Sequence, residues 1–436
     1  MQRSPPQVMT FLMAGGAGDR LSVLSEQRAK PAVPFGGSYR IIDFALSNCA
    51  NSRLPRVGVL TQYMPLSLHE HIGAGQPWGY GGDANRVSVL QPYLSRHTDG
   101  DWYLGTADAV YQNLFFLNRD ENRSDTVLVL AGDHVYVMDY REMLARHEES
   151  GADVTIGLSR VPLQEASRFG IVELDADGWI TSFWEKPERP ASDVASMGIY
   201  VFKADVLTRL LVEDAEDQGS RHDFGADVLP KAMGEGLRIG GYLYEGYWRD
   251  IGTIEAYWES SMELLGEPSP VHFDEPGRRV ISRPHKQPPA HIGAGADVRQ
   301  SILGSGSVVS GTVVRSLISP GVRIEPGAVV HDSVILHGSR IAEGAVVERA
   351  IIDKEVEVGA GARLGVGRVE GPNEARPDLL WSGLNVVGKR ARIPPRFTLR
   401  RNTVVGPMVG PELLELSVLP YGTTVRSQQA RSPLTI

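Results

Sequence analysis

Five short segments in the second half of the chain repeat one another. IGAGA, VVSGT, IEPGA, IAEGA and VGAGA begin at residues 292, 308, 324, 341 and 358, in steps of 16, 16, 17 and 17 residues. Each repeat carries Val or Ile at roughly six-residue intervals, separated by Gly, Ser and Pro turns. That spacing predicts a parallel β-helix with three short strands per coil. A single coil cannot bury its apolar side, so the coils have to stack. Residues 386–406 read as further coil, and 407–436 give no firm reading. The preceding stretch, 266–290, is Pro-rich and aperiodic and reads as a linker.

Residues 8 to about 265 follow a different pattern. Strand-like runs at 8–13, 56–60, 126–131 and 153–159 alternate with helical patterns near 41–51, 106–118 and 139–149, and 169–202 read as strands. Alternation of this kind predicts a mostly parallel sheet with helices on both faces. Ligands of such sheets bind at the carboxyl ends of the strands. The stretch 62–105 has no clear period and reads as a long loop, which in a compact domain is often functional.

The most informative local feature is VMTFLMAGGAGDR. An apolar run, 8–13, leads into Gly15, Gly16 and Gly18, whose missing Cβ atoms let backbone N–H groups approach an anion closely. Arg20 and Lys30 follow, so strand, loop and cations together read as a phosphate site. Two common phosphate motifs are excluded. Leu21 stands where a dinucleotide fingerprint needs its third glycine, and no Gly-Lys-Ser/Thr is present. A bare glycine turn is as often structural. Asp133, just past the strand at 126–131, and Asp250, before a helix from about 253, are equally open to a reading as helix-end acids, although Asp139 is the better cap for the helix at 139–149. Thr106 is the expected N-cap of the helix at 106–118. Glu185-Lys186 on its own reads as a solvated surface pair.

Charge narrows the class. With 44 basic and 53 acidic residues the net charge is −9, which argues against a general nucleic-acid surface. Anionic substrates would have to meet local positive groups. Only seven of the basic residues are lysines, and two of them, Lys30 and Lys186, fall inside candidate phosphate motifs, where a compact ammonium suits the ligand. No apolar run approaches the ~20 residues of a membrane span. The lone Cys49 forms no internal disulfide and fits a reducing cytoplasm.

The motifs resemble those of the sugar-1-phosphate nucleotidylyltransferases. RAKPAVPFGG (28–37), RIIDFALSN (40–48) and WYLGTADA (102–109) look like the glucose-1-phosphate adenylyltransferase (ADP-glucose pyrophosphorylase) branch in particular, and FWEKPERP (183–190) and YWRDIGT (247–253) carry the wider family's pattern. The resemblance runs from about residue 9 to 406. It implies a Rossmann-like nucleotidyltransferase domain (1–265), the linker (266–290) and a left-handed β-helix domain (291–436) serving regulation and oligomerisation. It implies ATP and glucose 1-phosphate as substrates, Mg²⁺ as cofactor, a small-molecule allosteric effector, a homotetramer, and a cytoplasmic enzyme without nucleic-acid or membrane partners.

Residue by residue, the resemblance makes Asp133 and Asp250 the metal carboxylates. It makes Arg20, Lys30 and Asp133 catalytic, places Tyr103, Gly170, Glu185, Lys186 and Ser196 at glucose 1-phosphate, and puts Gly15, Gly16 and Gly18 at the nucleotide. Two departures stand out. Gln27 replaces a lysine that enterobacterial members use for a sugar-bisphosphate activator, and YLSRHTDGD (93–101) lacks a Gln-Gln pair of those relatives. Rival readings are a sister enzyme using another nucleotide, a catalytically silent regulatory homologue, or a β-helix acyltransferase with His291, His331 or His337 as base. A solvated turn histidine is the commoner case for all three.

Overall fold

The computed structural model describes residues 8–82, 85–92, 102–119, 122–414 and 417–427. The segment 93–101, where the Gln-Gln pair is missing, lies outside them. The described chain forms two compact units whose borders do not follow a single cut in the sequence. The first takes in residues up to 16, then 42–248 and 273–281; the second comprises 17–41, 249–272 and 282 onward.

The first unit is built on a nine-stranded sheet. Val8–Met13 pairs in parallel with both Arg56–Leu60 and Thr126–Ala131. Its residues are buried almost throughout, as the continuous apolar run of a strand covered on both faces requires. Arg56–Leu60 in turn pairs in parallel with Arg86–Leu90. On the other side the sheet turns antiparallel. Val194–Lys203 runs against Thr126–Ala131 and Val154–Arg160, and Ile180–Glu185 against Gly170–Leu174. A register shift between Ser196 and Ile199 coincides with Gly198 at φ +66°, a bulge that re-aims the strand beside its neighbour's carboxyl end.

Three local readings change. The stretch 62–105 is not one long loop: it holds a helix, Leu66–Ile72, and the edge strand Arg86–Leu90. The strand RVSVL alternates as an edge strand should, but Gly and polar residues crowd around it and hide the pattern. Thr106 lies inside the helix Thr106–Tyr111, with Gly105 at the cap position; its hydroxyl donates instead to Asp223 Oδ2 at 2.8 Å. Residues 273–281 belong to the first unit, where the Ile281 carbonyl accepts from Trp78 Nε1 at 2.9 Å and Val280 is buried. Asp139 caps the helix Tyr140–Ser150 as expected, accepting from Arg141 N.

In the second unit the repeats stack as a left-handed β-helix, its strands forming three parallel sheets of six, seven and seven strands. Equivalent residues lie directly above one another: Ile324 on Ile341, Val330 on Val347, Ile335 on Ile352. These rows fill the core. Buried serines repeat as well. Ser316 and Ser333 each donate to a carbonyl of their own coil and accept a backbone N–H from the next, so a polar row satisfies itself inside the stack. The stack continues through Asn385–Val387, Arg392–Ile393, Thr398–Arg400 and Val404–Val405, and on into Val418–Leu419 and Thr424–Val425, a stretch with no repeat pattern of its own.

Two other segments belong to the same unit. Tyr257, from the helix Ile254–Glu263, is fully buried and donates to the Pro34 carbonyl at 2.8 Å. Arg28 makes two parallel bonds to Asp353, at 2.9 and 2.7 Å, both side chains nearly inaccessible. Removing one member of a buried pair strands the other charge. Asp353→Ala is therefore expected to cost about 3–5 kcal/mol, read as a lowered melting temperature by calorimetry; an unchanged melting temperature would show that the pair contributes no net stability.

Candidate active site

In the first unit the glycine loop leaves the carboxyl end of Val8–Met13. Gly15 is tight: a Cβ there would come within 3.1 Å of Gln62 Cβ and 3.4 Å of its backbone nitrogen. Gly16 faces open space. Gln62 reaches on to Tyr103, accepting from its N–H at 3.0 Å and donating to its carbonyl at 3.4 Å. The Tyr103 hydroxyl accepts from Asn113 Nδ2 at 3.0 Å. Gly15, Gln62 and Tyr103 thus form one connected wall, which Gln62 completes although the sequence offered no signal for it.

A second wall lies across the antiparallel strands. Gly170 sits where a Cβ would meet the Phe183 ring at 2.6 Å and Glu185 Oε2 at 3.0 Å. Gly225 brings its backbone under the same carboxylate, its would-be Cβ lying 2.5 Å from Glu185 Oε2 and 3.5 Å from Asp223 Oδ1. Lys186, at φ +46°, pairs through Nζ with Glu185 and stays well exposed. Ser196, nearly buried, accepts from Gly198 N at 3.3 Å. Asp223, held by Thr106, joins these groups. Its signal was the Asp-Phe-Gly run at 223–225, which the sequence reading passed over.

Asp133 stands just past Thr126–Ala131, its side chain about one-third exposed, with His134 Nε2 at 3.5 Å. His134 Nδ1 lies 3.1 Å from the Met197 carbonyl, which ties the turn to the bulged strand. Trp248 packs edge-on against His134 at 5.3 Å and against Phe169 at 5.2 Å. The indole is buried, and its Nε1 has no acceptor among the described residues, an open donor that is costly unless something fills it.

The remaining residues lie in the second unit. Gly18, at φ +74°, has no room for a Cβ, which would fall 2.8 Å from Lys30 Cβ; the loop can lie on Lys30 only as glycine. Ser25 fixes it by donating to the Gly18 carbonyl at 2.7 Å. Lys30 Nζ donates to Asp250 Oδ1 at 2.9 Å, both side chains largely buried. Arg20 Nη2 and Asp250 Oδ2 lie 3.3 and 2.8 Å from the same point, a Cβ built on Gly252. Arg20, Lys30 and Asp250 therefore form one charged cluster, whereas Gly15, Gly16, Tyr103, Asp133, Gly170, Glu185, Lys186 and Ser196 belong to the first unit.

The second unit holds another charged group. Lys354 is partly buried among Arg28, Arg40 and Lys389, and burial together with these cations pushes its ammonium down to about 7, against the pull of Asp353. His337 is not a solvated turn histidine. Its ring lies 4.9 Å from that of His285, its Nδ1 is buried without a partner among the described residues, and burial first, then Lys354 and other neighbouring cations, pushes it down to about 2. His331, by contrast, pairs with Asp332 at 2.6 Å.

Residues 9–267 match the family described as Nucleotidyl transferase, and residues 284–377 the family described as GlmU-like, C-terminal hexapeptide. The chain is 51% identical to the glucose-1-phosphate adenylyltransferase of Thermomicrobium roseum, over 96% of this chain and 97% of that protein. It is 46% identical to that of Thermotoga maritima, over 96% and 98%, and 43% identical to that of Acetivibrio thermocellus, over 93% and 94%. Likeness of this degree, spanning both the glycine-loop sheet and the stacked coils, makes the chain a member of the glucose-1-phosphate adenylyltransferase family.

Proposed function

We propose that the chain transfers the adenylyl group of ATP to glucose 1-phosphate, releasing pyrophosphate and forming ADP-glucose for glycogen or a related α-glucan. The observation that carries this reading is the full-length similarity to enzymes of that name. The charged cluster of Arg20, Lys30 and Asp250 and the polar wall around Glu185 support it.

A phosphate oxygen of glucose 1-phosphate attacks the α-phosphorus of ATP in line, the P–O bond to the β-phosphate breaks, and pyrophosphate leaves. The nucleophile is already an anion, so no general base is needed. The difficulty is to hold two polyanions together, which leaves positioning and charge neutralisation to the protein. Lys30 and Arg20 face the ATP phosphates, Arg20 on the departing pyrophosphate. The amides of Gly15, Gly16 and Gly18 line the nucleotide. Lys186 holds the sugar phosphate. Glu185, Ser196 and Tyr103 take sugar groups at Gly170, with Asp223 and the open Trp248 donor beside them.

Asp133 and Asp250 would hold Mg²⁺. Hard carboxylate oxygens with room for water and phosphate suit that ion, and the one-third exposure of Asp133 at a strand end fits it. When bound, Mg²⁺ supplies positive charge to the reacting phosphates.

The Arg28, Arg40, Lys354 and Lys389 cluster is the proposed seat of an anionic small-molecule effector, since an anion would relieve the repulsion that holds Lys354 near neutrality. Edges at the ends of the three sheets need cover, which supports the homotetramer. Among the described residues no helix is long and apolar enough to cross a membrane.

Three measurements bear on this reading. Pyrophosphate release with Mg²⁺ and glucose 1-phosphate should prefer ATP over UTP, dTTP, CTP and GTP, and Asp133→Asn should abolish it. Preference for another nucleotide would move the chain to a sister activity, and silence with every nucleotide would make it a regulatory subunit. Lys186→Ala should raise the KM for glucose 1-phosphate about 10- to 100-fold, the loss of one charge-assisted contact, with kcat less affected; an unchanged KM removes that role. The third concerns pH. An anion raises the Lys354 pKa from about 7, so binding takes up a proton and weakens as pH rises through and above 7. Calorimetry with inorganic sulfate, which does not itself titrate near pH 7, in two buffers of different ionisation heat should show that uptake, lost in Lys354→Met.

A further inference from the structure

Among the buried carboxylates that the reaction does not use, Glu255 is the one anchored nearest to Asp250 in sequence. Glu255 is the second residue of the helix Ile254–Glu263 and is only 7% exposed. Its Oε1 accepts from the backbone N–H groups of Trp381 and Ser382 at 3.3 and 3.2 Å, and its Oε2 accepts from the Ser382 hydroxyl at 2.6 Å. Three donors on one buried carboxylate make a charge-assisted anchor, stronger than neutral bonds. Its place in the first helical turn adds a favourable interaction with the positive end of the helix.

Both ends of this anchor are themselves held. The donors lie in the excursion 367–384 between two coil strands. Gly383 N donates to Asn402 Oδ1 at 2.6 Å, and Arg349 reaches the Ser382 carbonyl and hydroxyl, each at 3.2 Å. The Arg349 guanidinium also lies 4.0 Å over the Trp258 ring, one turn along the same helix from Glu255, and Trp258 Nε1 donates to the Asp332 carbonyl at 2.8 Å. The helix start is thus pinned at two points. Immediately before it, Thr253 caps the helix by accepting from Ala256 N, and three residues earlier Asp250 meets Lys30.

Asp250 Oδ1 accepts from Lys30 Nζ at 2.9 Å, and the residue stands just before the helix that Glu255 anchors, so a shift of the helix start moves the carboxylate against Lys30. We propose that Glu255 is a positioning residue: with Ser382 as its partner it locks the helix to the 367–384 excursion and thereby fixes the orientation of Asp250. The inference rests on the reading of Asp250 as a metal carboxylate, and it assigns Glu255 no contact with substrate.

The test compares Glu255→Gln, Ser382→Ala, their double variant and Asp250→Asn in the full-length protein, following pyrophosphate release against Mg²⁺ and against glucose 1-phosphate. Glu255→Gln keeps the volume but sets an amide against the Ser382 donors. It should raise the Mg²⁺ half-saturation and lower kcat about tenfold, the scale of one lost charge-assisted bond, while the KM for glucose 1-phosphate stays put. Ser382→Ala, which leaves both backbone donors in place and keeps the fold, should shift Mg²⁺ dependence in the same direction by about threefold. Because the two residues share one interaction, the double variant should be no worse than Glu255→Gln alone. Wild-type Mg²⁺ dependence in Ser382→Ala and Glu255→Gln, with Asp250→Asn defective, overturns the positioning role and leaves the metal reading intact. An equal loss in every parameter, tracking the folded fraction, overturns it too. Unchanged Mg²⁺ dependence in Asp250→Asn defeats the metal reading itself.

Discussion

The Lys30–Asp250 pair joins side chains 220 residues apart in sequence, and much of the second unit serves to bring them within 2.9 Å. Neither residue lies in a regular element long enough to position it unaided. Lys30 begins a single 3₁₀ turn with Pro at its second position, and Asp250 ends a three-residue strand. Each is therefore held by what flanks it. Gly18 lies directly on Lys30, and Arg28, two residues away, is fixed by Asp353. Thr253 caps the helix behind Asp250, and Glu255 and Trp258 pin that helix to the excursion and coils of the β-helix. A largely buried ion pair is worth little by itself once desolvation is counted. Its value here is geometric, since it sets where an ammonium and a carboxylate stand relative to one another.

The stacked coils supply rigidity because they have no alternative register. A coil slipped by one residue would turn Ile324, Val330 and Ile335 out of the core and their polar neighbours in. The serine row adds a second constraint, since Ser316 and Ser333 find their partners only when each coil sits squarely on the next. Side chains at the coil corners, such as Arg349, Asp353 and Lys354, inherit that precision. It explains how a turn residue can hold a guanidinium 4.0 Å over an indole ring or bind another in two parallel hydrogen bonds.

Much of this was legible in the sequence, and the reasons differ from place to place. The coils showed through because their period is enforced by stacking at every turn. The strands Val8–Met13 and Thr126–Ala131 showed through because a strand covered on both faces must be apolar throughout. The edge strand Arg86–Leu90 did not, since one side faces solvent and glycines surround it. Thr106 has a cap residue's chemistry, but Asp223 takes its hydroxyl, a contact 117 residues away that no local pattern contains. Gln62 and Trp248 were missed for a similar reason: an amide and an indole acquire a role only from what the fold places beside them. The allotment of 17–41 and 249–272 to the β-helix unit is likewise a matter of long-range packing, written in Arg28 with Asp353 and Tyr257 with Pro34, not in composition.

Charge ties these features together. A chain of net charge −9 that receives polyanions needs cations, yet a bare cluster of them would trap any phosphate that diffused by. The structure answers by giving key cations a carboxylate of their own: Lys30 has Asp250, Lys186 has Glu185, Arg28 has Asp353. Pairing of this kind lowers the pull that each cation exerts on a passing anion, so charge alone discriminates little and selectivity passes to shape and hydrogen bonding. Lys354 is handled differently. Crowded by Arg28, Arg40 and Lys389, with Asp353 already engaged by Arg28, it sheds much of its charge near pH 7. Its neighbours therefore set its charge, whereas Lys30, Lys186 and Arg28 each face a carboxylate of their own.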